Sequence, residues 1–498
     1  MIAQTEELSA SPYALDEEDK GSKDETIDEN NAEHEMSLND LLRGSGLGKT
    51  QLFLWTLVFL VATMQVSIYL KTAILMPYLH CEWDLNSGLE AVIGSSCPVF
   101  STFGGVVAGN LADKFGRKIV LLVTTVFLAF GSIAIAASPN VWVLLAGRSV
   151  QGICIGMGYP VAYIYAAEIT DSKNNELAIL SVGVGAQFGG VFIALVSYLA
   201  LNDIGWRYLV AVVSTPLPFL IIGLILAPET PRFLLVQGKG EEALQLLKKM
   251  YKWNGVPFPE SCLSVKAASL EKAGKFSRIF HREFRKLTIL LTIIYFANLY
   301  IYLAFAAYLP LASADNEELP NIPTLNETSC GDVLDRKDIL QSFIAFLGDV
   351  VGCVMSVFLG RRFGKKLIVA SFAVLALVTT VSAIFDLNEI FKVLDSMLLR
   401  LCVTGSRILL WSISVEGYPA AVRSTASSFI HGIGETGGTV GSFLTYLLYP
   451  ISSVSVVNLF VGIAGVQLLA TVLLNTGNKD KDIVLANPAS NLAVTASM

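Results

Sequence analysis

The chain has 498 residues, of which 53% are hydrophobic and 15% are charged, and its formal net charge is −7. A typical soluble protein carries about 25% charged residues, so this composition excludes a soluble globular protein, a collagen, a disordered polymer and a disulfide-stapled secreted domain. The acidic balance argues against a nucleic-acid partner, and a lipid bilayer is the solvent that suits such a chain.

Residues 1–50 are predicted to form a disordered, acidic, cytoplasmic tail. Residues 1–40 contain thirteen Asp or Glu and two Lys, without an apolar run. Such a segment cannot bury enough surface to offset the entropy lost on ordering the chain. It also lacks the layout of a cleavable signal peptide. We therefore expect the first hydrophobic span to act as its own insertion signal.

Twelve apolar segments of membrane-spanning length follow, since a helix needs about 20 apolar residues to cross ~30 Å of hydrocarbon. They lie at about 51–78, 88–112, 118–137, 141–167, 177–201, 206–227, 287–312, 336–360, 366–386, 391–415, 424–449 and 452–474. The sequence therefore predicts an all-α membrane protein. Two six-helix bundles, 51–227 and 287–474, are joined by a cytoplasmic loop, 228–286, and followed by a cytoplasmic tail, 475–498.

The distribution of Lys and Arg predicts the orientation of these spans. Twenty-one of these residues lie in loops that follow even-numbered spans, and three lie in the opposite loops. Because basic loops stay on the cytoplasmic side, both termini are predicted to be cytoplasmic. The protein should then be an integral, multi-pass membrane protein in contact with lipid.

The outer loops contain two kinds of candidate modification site. Cys81 and Cys330 both fall on the predicted outer, oxidising side, and we hypothesise a disulfide bond between them. Asn326 begins an Asn-Glu-Thr glycosylation acceptor in the same outer loop as Cys330.

The two halves of the chain repeat each other at a constant offset of 248 residues. The matched segments are Phe115–Lys118 with Phe363–Lys366, Glu168 with Glu416, and Gln187–Gly190 with Glu435–Gly438. Two six-span halves with basic loops at matching places are typical of alternating-access transporters that arose by duplication.

Enzyme motifs are missing from the sequence. The glycine-rich segment Gly44–Thr50 resembles a phosphate-binding loop, but it has three residues instead of four between its first Gly and the Gly-Lys pair. No His-Glu-x-x-His, Cys-x-x-Cys or Gly-x-Ser-x-Gly pattern occurs either. The sequence therefore predicts that the protein is not an enzyme and has neither a cofactor nor a metal site.

The segment Gly109–Lys118 resembles the signature between spans two and three of the major facilitator superfamily. Pro228–Phe233 resembles the segment after span six in the sugar and organic-ion porters of that superfamily, and Leu79–Trp83 and Glu416–Arg423 resemble its synaptic-vesicle branch. The resemblance implies two pseudo-symmetric bundles that rock around a central cavity, in a vesicle or plasma membrane.

The resemblance also implies a cytoplasmic gate. Its candidate residues are Asp113, Arg117, Glu168, Glu416 and Arg423. Asp113, at a helix end, is expected to face a helix N-terminus across the interface between the halves, where the backbone dipole favours an anion. Two departures predict an asymmetric gate: Asn175 stands where the first half should have an Arg, and Arg361 stands where the second half should have an Asp.

Ionisable groups inside spans are costly and therefore candidate functional groups. Glu435 lies near the middle of span eleven, where related organic cation transporters carry an acid and organic anion transporters carry an Arg. This resemblance favours a cationic or zwitterionic substrate. His431 is one helical turn earlier, so His431 and Glu435 are candidates for coupling a proton to transport. Alternatively, Lys71 or Arg407 neutralises Glu435 in a structural pair.

The remaining predicted substrate-binding residues leave the charge of the substrate open. Lys71 and Arg407 lie in cavity-lining spans and would repel a cation. Gln187, Gln65, Tyr165 and Trp411 are expected to supply polar and aromatic walls.

Three functional hypotheses follow. The first is a secondary active or facilitative transporter of a small organic ion, with a cation or zwitterion favoured. The second is a non-transporting vesicle membrane protein of the same fold that binds partners or nucleotide. The third is an organic anion transporter in which Lys71 and Arg407 hold the substrate.

Overall fold

The structure is a computed structural model that describes residues 35–259, 264–266, 279–315, 334–385, 388–418 and 420–475. Asn326, Cys330 and residues 476–498 lie outside the described residues, as does the side chain of Arg423. The predictions that concern them remain predictions.

Helices dominate both halves. The first half contains α1 (Leu38–Ser45), α2 (Lys49–Trp83), α3 (Ser87–Phe115), α4 (Arg117–Ala136), α5 (Val141–Glu168), α6 (Asn175–Ser214) and α7 (Pro216–Leu226). The connecting segment contains α8 (Pro231–Val236) and α9 (Gly240–Asn254). The second half contains α10 (Arg285–Asp315), α11 (Arg336–Phe363), α12 (Lys365–Ser382), α13 (Glu389–Glu416), α14 (Ala420–Leu448) and α15 (Ser453–Asn475).

These helices account for the twelve predicted spans. In the described part of the chain, nine helices are long and apolar enough to cross a membrane. One of them, Asn175–Leu226, has 52 residues and supplies both spans five and six, because the backbone leaves the helical conformation at Gly205 (φ 76°, ψ 165°). Helices α13 and α14 are also long enough and supply spans ten and eleven. They carry mid-span polar groups such as Arg407 and Glu435.

An even number of crossings places Lys49, at the start of α2, and Asn475, at the end of α15, on the same side of the membrane. We call this side the terminal face and the other side the opposite face. The basic loops predict that the terminal face is cytoplasmic.

Part of the predicted disordered tail is ordered. Residues Glu35–Ser37 form β1, which pairs in parallel with β2 (Ser264–Lys266) of the connecting segment. Helix α1 then buries Leu41 completely in a small apolar cluster with Leu247 and Met250 of α9. The amphipathic faces of these two helices supply the apolar burial that the acidic first part of the tail lacks.

The glycine-rich segment Gly44–Thr50 has a packing role at this contact. The Asn254 amide donates to the Ser45 carbonyl at 3.1 Å and accepts from the Thr50 backbone N–H at 3.0 Å. A methyl group added at Gly48 would lie 2.2 Å from the Asn254 side chain. Glycine is therefore needed for this close approach, which attaches α9 to the beginning of α2.

Glycines at the repeat offset also explain how the helices pack within each half. A methyl group at Gly104 would lie 2.2 Å from the Ile153 carbonyl oxygen, and one at Gly352 would lie 2.3 Å from that of Leu401. These contacts join α3 to α5 and α11 to α13. Small residues permit such close helix approach in membranes, so the duplication is visible in the packing.

The most extensive contacts between the two halves are made by two pairs of helices. Helix α3 packs against α14, and α6 packs against α11. Near the opposite face, a methyl group at Gly94 of α3 would lie 2.2 Å from the ring of Tyr446 of α14. The halves therefore approach each other most closely beside the central helices, where the predicted cavity residues lie.

We predict that Gly104→Ala lowers the thermal unfolding temperature of the purified protein by roughly 1–3 °C for a chain of this length. The added methyl group meets a backbone oxygen that cannot rotate away, and overpacking of this kind costs roughly 1–3 kcal/mol. Gly109→Ala on the same helix is the matched control, because a methyl group there would have no atom within 4 Å. Equal effects of the two substitutions would contradict this account of the packing.

Candidate functional site

A buried ion pair links α4 and α5 at the terminal face of the first half. The Arg117 guanidinium contacts the Glu168 carboxylate, with Nε 3.0 Å from Oε2. Arg117 also contacts Asp113, at 2.9 Å, and Glu168 accepts a hydrogen bond from Thr230 at 2.7 Å. The three predicted gate residues of this half therefore share one network with Thr230, in the connecting segment.

The helix N-terminus in this region is capped by a residue that we did not predict. The Glu229 carboxylate accepts from the backbone N–H groups of Arg117 and Lys118, both at 3.1 Å. It thereby occupies the positive end of the α4 dipole. Asp113 pairs with Arg117 and is largely exposed. The side chains at the start of α14, in the other half, lie outside the described residues, so the expectation that Asp113 faces a helix N-terminus across the interface stays a prediction.

The second half repeats the ion pair with different chemistry. Lys365 Nζ contacts Glu416 and also donates to the Ser412 hydroxyl at 2.7 Å. Both Arg117–Glu168 and Lys365–Glu416 join residues that are 51 positions apart. Lys365 is the counterpart of Arg117 at the 248-residue offset, and it pairs with Glu416 as Arg117 pairs with Glu168.

Arg361, the residue that departs from the superfamily pattern, forms an ion pair between the halves. Its guanidinium contacts Glu176, at the start of α6, and both side chains are exposed. Arg361, one of the two departures on which the predicted asymmetry of the gate rests, thus contacts α6 of the other half.

The same two helices are also bridged at the opposite face. Arg336 of α11 donates to Asp203 of α6 at 2.9 Å, and the Asn202 amide donates to the Leu334 carbonyl at 3.0 Å. Helices α6 and α11 are thus joined by one ion pair at each face of the membrane.

Arg407 and Gln187 meet between the halves, at the level of the central cavity. Arg407 Nη2 donates to the Gln187 side-chain oxygen at 3.2 Å. The Arg407 guanidinium also lies 4.2 Å from the centre of the Tyr302 ring, which is a favourable position for a cation. The direct contacts of Arg407 are thus with a neutral amide and an aromatic ring, and the ion pairs observed among the described residues do not include it.

A layer of aromatic rings closes the cavity toward the terminal face. Trp411 of α13 stacks on Tyr163 of α5, with ring centres 5.4 Å apart. His431 lies against Trp411, with ring centres 3.8 Å apart, and against Tyr295, at 4.3 Å. The Tyr159 and Tyr163 hydroxyls are hydrogen-bonded at 2.9 Å. We call these five side chains the aromatic layer.

Glu435 faces the first half. It lies beside the hydroxyls of Tyr69 and Ser101, within electrostatic range of Arg407. The ion pairs observed among the described residues include neither Glu435 with Lys71 nor Glu435 with Arg407. Nearby, both amide atoms of Gln65 are buried without a hydrogen-bond partner among the described residues.

Tyr165, which was predicted to line the substrate site, lies away from the aromatic layer. Its side chain is fully buried, and its hydroxyl donates to the Pro228 carbonyl at 2.7 Å, so it fastens α5 to the connecting segment. Tyr159 and Tyr163 take the position beside Trp411 instead. Helical periodicity could have distinguished them, because Tyr159 and Tyr163 share a face and Tyr165 is about 200° away from Tyr163.

The central cavity is closed in this conformation. One remaining space of about 30 Å³ is lined by Arg148, Tyr69 and Tyr446, among others, and another of about 10 Å³ lies beside Arg400. A water molecule needs about 10–15 Å³ by this measure, so neither space admits an organic ion. Among the described residues, α6 and α11 are therefore bridged at both faces, and neither of these two spaces is large enough for such a substrate.

Cys81, near the end of α2 at the opposite face, is disulfide-bonded. Its predicted partner, Cys330, lies outside the described residues, so the pairing stays a prediction. The cysteines Cys97, Cys154, Cys353 and Cys402 are free and buried within the spans.

Known proteins share the sequence pattern over almost the whole chain. Residues 22–476 match the family described as sugar (and other) transporter. The synaptic vesicle 2-related protein of Bos taurus is 24% identical over 451 residues, which cover 90% of this chain and 82% of the relative. This similarity agrees with the branch indicated by the motifs.

Other relatives are named as transporters of different substrates. The 4-hydroxybenzoate transporter of Pseudomonas aeruginosa is 25% identical, over 78% of this chain and 85% of its own length. The organic cation/carnitine transporter 7 of Arabidopsis thaliana is 23% identical, over 89% of this chain and 93% of its own length.

A solved structure confirms the predicted fold. The xylose transporter of E. coli, in a partially occluded inward-open conformation, superposes with a TM-score of 0.65 at 16% identity, over 87% of this chain and 98% of that chain. The twelve helices thus have the arrangement of the major facilitator superfamily.

We predict that Arg361→Glu opens the terminal face. The new carboxylate would repel Glu176, and a change of ~1 kcal/mol between exposed charges should speed alkylation of Cys353 about fivefold. Cys353 is fully buried and lies beside Gly183 of α6, so its reaction with N-ethylmaleimide, followed by mass spectrometry, reports separation of α6 and α11.

Two variants control this measurement. Adding Glu176→Arg to Arg361→Glu should restore slow labelling, because the ion pair re-forms with its charges exchanged. Arg362→Glu, at the neighbouring exposed position, should label at the wild-type rate. Fast labelling of Arg362→Glu, or no change in Arg361→Glu, would show that the pair does not hold the face closed.

Proposed function

The chain belongs to the sugar (and other) transporter family, whose members are membrane transporters of the major facilitator superfamily, and we propose that it carries a small organic ion that bears a carboxylate. Transport would occur by alternating access, as the two halves rock around the region between Arg407 and Glu435. The observation that carries this proposal is the excess of positive charge in the membrane interior.

The middle of the spans contains four basic residues, Lys71, Arg148, Arg400 and Arg407, and two acidic residues, Asp349 and Glu435. Asp349 is compensated, because it pairs with Arg400 at 3.0 Å and accepts from Thr404 at 2.6 Å. Three basic residues therefore remain against Glu435 alone. A buried charge without compensation is costly, so an anionic group from the substrate would stabilise this interior.

Arg407 is the residue best placed to bind that group. It is half-buried, lies between the two halves and contacts residues of both. A planar guanidinium binds a carboxylate with two parallel hydrogen bonds. The neighbouring rings of Tyr302 and of the aromatic layer would contact the apolar part of the substrate. Replacement of the Gln187 contact by a carboxylate would couple binding to the distance between the halves.

Glu435 retains a role under this proposal. The sequence-based preference for a cation or zwitterion came from Glu435, which lies among hydroxyl groups. It would bind an ammonium group when the substrate is a zwitterion, or carry a coupling proton when the substrate is an anion. The names of the relatives include both classes, 4-hydroxybenzoate and carnitine. The carboxylate is the chemistry that they share.

The hypothesis of a non-transporting protein receives less support. It rested on the missing gate residues at Asn175 and Arg361. The structure supplies other contacts at these places: Arg361 pairs with Glu176, and Arg117 satisfies Glu168. Retained gate contacts favour a protein that still changes conformation.

We predict that Arg407→Gln strongly lowers the uptake of organic carboxylates into proteoliposomes. Loss of one charged hydrogen-bonded contact to a carboxylate costs about 1.5–3 kcal/mol, which corresponds to a 10- to 150-fold loss of transport efficiency. The measurement is uptake of a panel of radiolabelled aromatic carboxylates, aliphatic carboxylates and betaines. Arg407→Lys should retain part of the activity, and Lys248→Gln, on α9, should retain all of it.

If the wild-type protein takes up organic cations without a carboxylate, and Arg407→Gln does not impair that uptake, the proposed substrate class is wrong. If folded protein takes up no member of the panel, transport of this class is also excluded.

We predict that Glu435→Gln separates the two kinds of carboxylate. For a zwitterion, the substitution should raise the KM at least tenfold because the ammonium group loses its counter-charge. For an anion, it should leave the KM within a fewfold but abolish stimulation by an inwardly directed proton gradient. Unchanged kinetics in both assays would remove Glu435 from the mechanism.

A further inference from the structure

Helix α9 carries its basic residues at the end that lies against the beginning of span one. Glu241 and Glu242 occupy its first turn, whereas Lys248, Lys249 and Lys252 lie in its last two turns. All three lysine side chains are exposed. The ion pairs observed among the described residues include none of the three. The basic end of α9 therefore meets the membrane-spanning part of the protein with its charges free.

A hydrogen bond holds one of these lysines close to another basic residue. The Thr50 hydroxyl of α2 donates to the Met250 carbonyl of α9 at 3.4 Å. Lys49 and Lys249 immediately precede these two residues in the chain, and the Lys49 side chain is also exposed. Two long, flexible ammonium side chains thus start from neighbouring positions at the beginning of span one.

Both lysine side chains lie on the same side as a pair of aromatic rings. Phe53 of α2 and Trp253 of α9 contact each other edge to face, with ring centres 6.4 Å apart. Each ring comes four residues after one of the lysines, and side chains four residues apart share a helix face with about 5–6 Å between their Cβ atoms. Lys49 and Lys249 are therefore each one helical turn from the contacting rings.

The two rings belong to a surface that faces lipid. Trp253 is 62% exposed, Phe53 is 41% exposed and the neighbouring Leu52 is 66% exposed, at the beginning of a 35-residue membrane-spanning helix. Trp side chains are enriched where the hydrocarbon layer meets water, and lysines extend from apolar surface toward the headgroups. The surface formed by these rings and lysines is thus continuous with the lipid-facing side of span one.

We propose that Lys49 and Lys249 bind the phosphate group of one anionic phospholipid in the leaflet on the terminal face. Phe53 and Trp253 contact the beginning of its acyl chains. The negative headgroup complements two ammonium groups that have no acidic partner among the described residues. The bound lipid bridges α2 and α9 and so fastens the connecting segment to the first span. This site does not depend on the proposed substrate.

The test measures quenching of Trp253 fluorescence by brominated lipids in the purified full chain in detergent micelles. The Trp253 signal is the difference between the wild-type protein and Trp253→Phe. Dibrominated phosphatidylglycerol should reach half-maximal quenching at a concentration roughly 30-fold lower than dibrominated phosphatidylcholine, because each lysine beside an anionic lipid contributes about fivefold. Equal quenching by the two lipids would overturn the proposal and leave the acidic segment 1–34 as the candidate partner of these lysines.

Variants locate the effect. Lys49→Gln and Lys249→Gln should each lower the preference for phosphatidylglycerol about fivefold, and the double variant should abolish it. Lys248→Gln is the matched control, because the Lys248 ammonium group lies 5.5 Å from the Phe258 ring centre and its position is about 140° around α9 from Trp253. It should keep the full preference. A preference that survives the double substitution, or that is lost equally in Lys248→Gln, would overturn the site.

A competition experiment distinguishes a lipid from a soluble phosphate compound. Inorganic phosphate at ten times the lipid concentration, at constant ionic strength, should leave the quenching by phosphatidylglycerol unchanged, because it lacks the acyl chains that contact Phe53 and Trp253. Displacement of the lipid by inorganic phosphate would assign the two lysines to a soluble ligand and overturn the lipid site.

Discussion

A charge in the hydrocarbon layer costs at least ~2.5 kcal/mol even on the most lenient scale, and this cost organises the interior of the protein. Asp349 and Arg400 meet the cost together, since they pair at 3.0 Å and the guanidinium lies 4.1 Å from the Phe346 ring centre. Such a pair needs nothing from outside. Arg407 is held by an amide and a ring, which do not neutralise it. The degree of compensation therefore distinguishes a charge that supports the scaffold from one that is available to a ligand.

The same distinction explains why the duplicated halves are not equivalent. Each half retains an ion pair across 51 residues at the terminal face, but the first uses the guanidinium of Arg117, and the second uses the ammonium group of Lys365. The Arg117 fork contacts both Asp113 and Glu168, whereas Lys365 contacts Glu416 and Ser412. Arg361 leaves the repeat pattern and reaches Glu176 of the other half. The two halves thus differ both in an ion pair within each half and in a contact between the halves.

The sequence was sufficient for the fold and insufficient for the geometry of the site. Hydrophobic length, basic loops and a 248-residue repeat are one-dimensional signals, and they determine twelve helices in two halves. The ordered contact of α1 with α9 was missed because the acidic residues around it dominate the composition, while Leu41 and Leu247 are far apart in sequence. The partners of Arg407 and Arg361 were missed for the same reason: Gln187 and Glu176 lie 220 and 185 residues away. Tyr163 and Tyr165 have the same composition signal, and only the helical phase, about 200° between them, separates the residue beside Trp411 from the one that contacts Pro228.

Helices α6 and α11 carry ion pairs at both faces, Glu176–Arg361 and Asp203–Arg336. Exposed pairs of this kind contribute about 0.2–1 kcal/mol each, so water can replace either of them at small cost. When the two halves rock, one of these ion pairs breaks and the other is kept. The ion pairs therefore contribute similar energies to the two open states. The larger differences arise in the middle, where Arg407 changes from an amide contact to a substrate or to water. The preference among conformations is therefore decided mainly by whatever neutralises the central charges, and each pair at a face shifts it by about 1 kcal/mol or less.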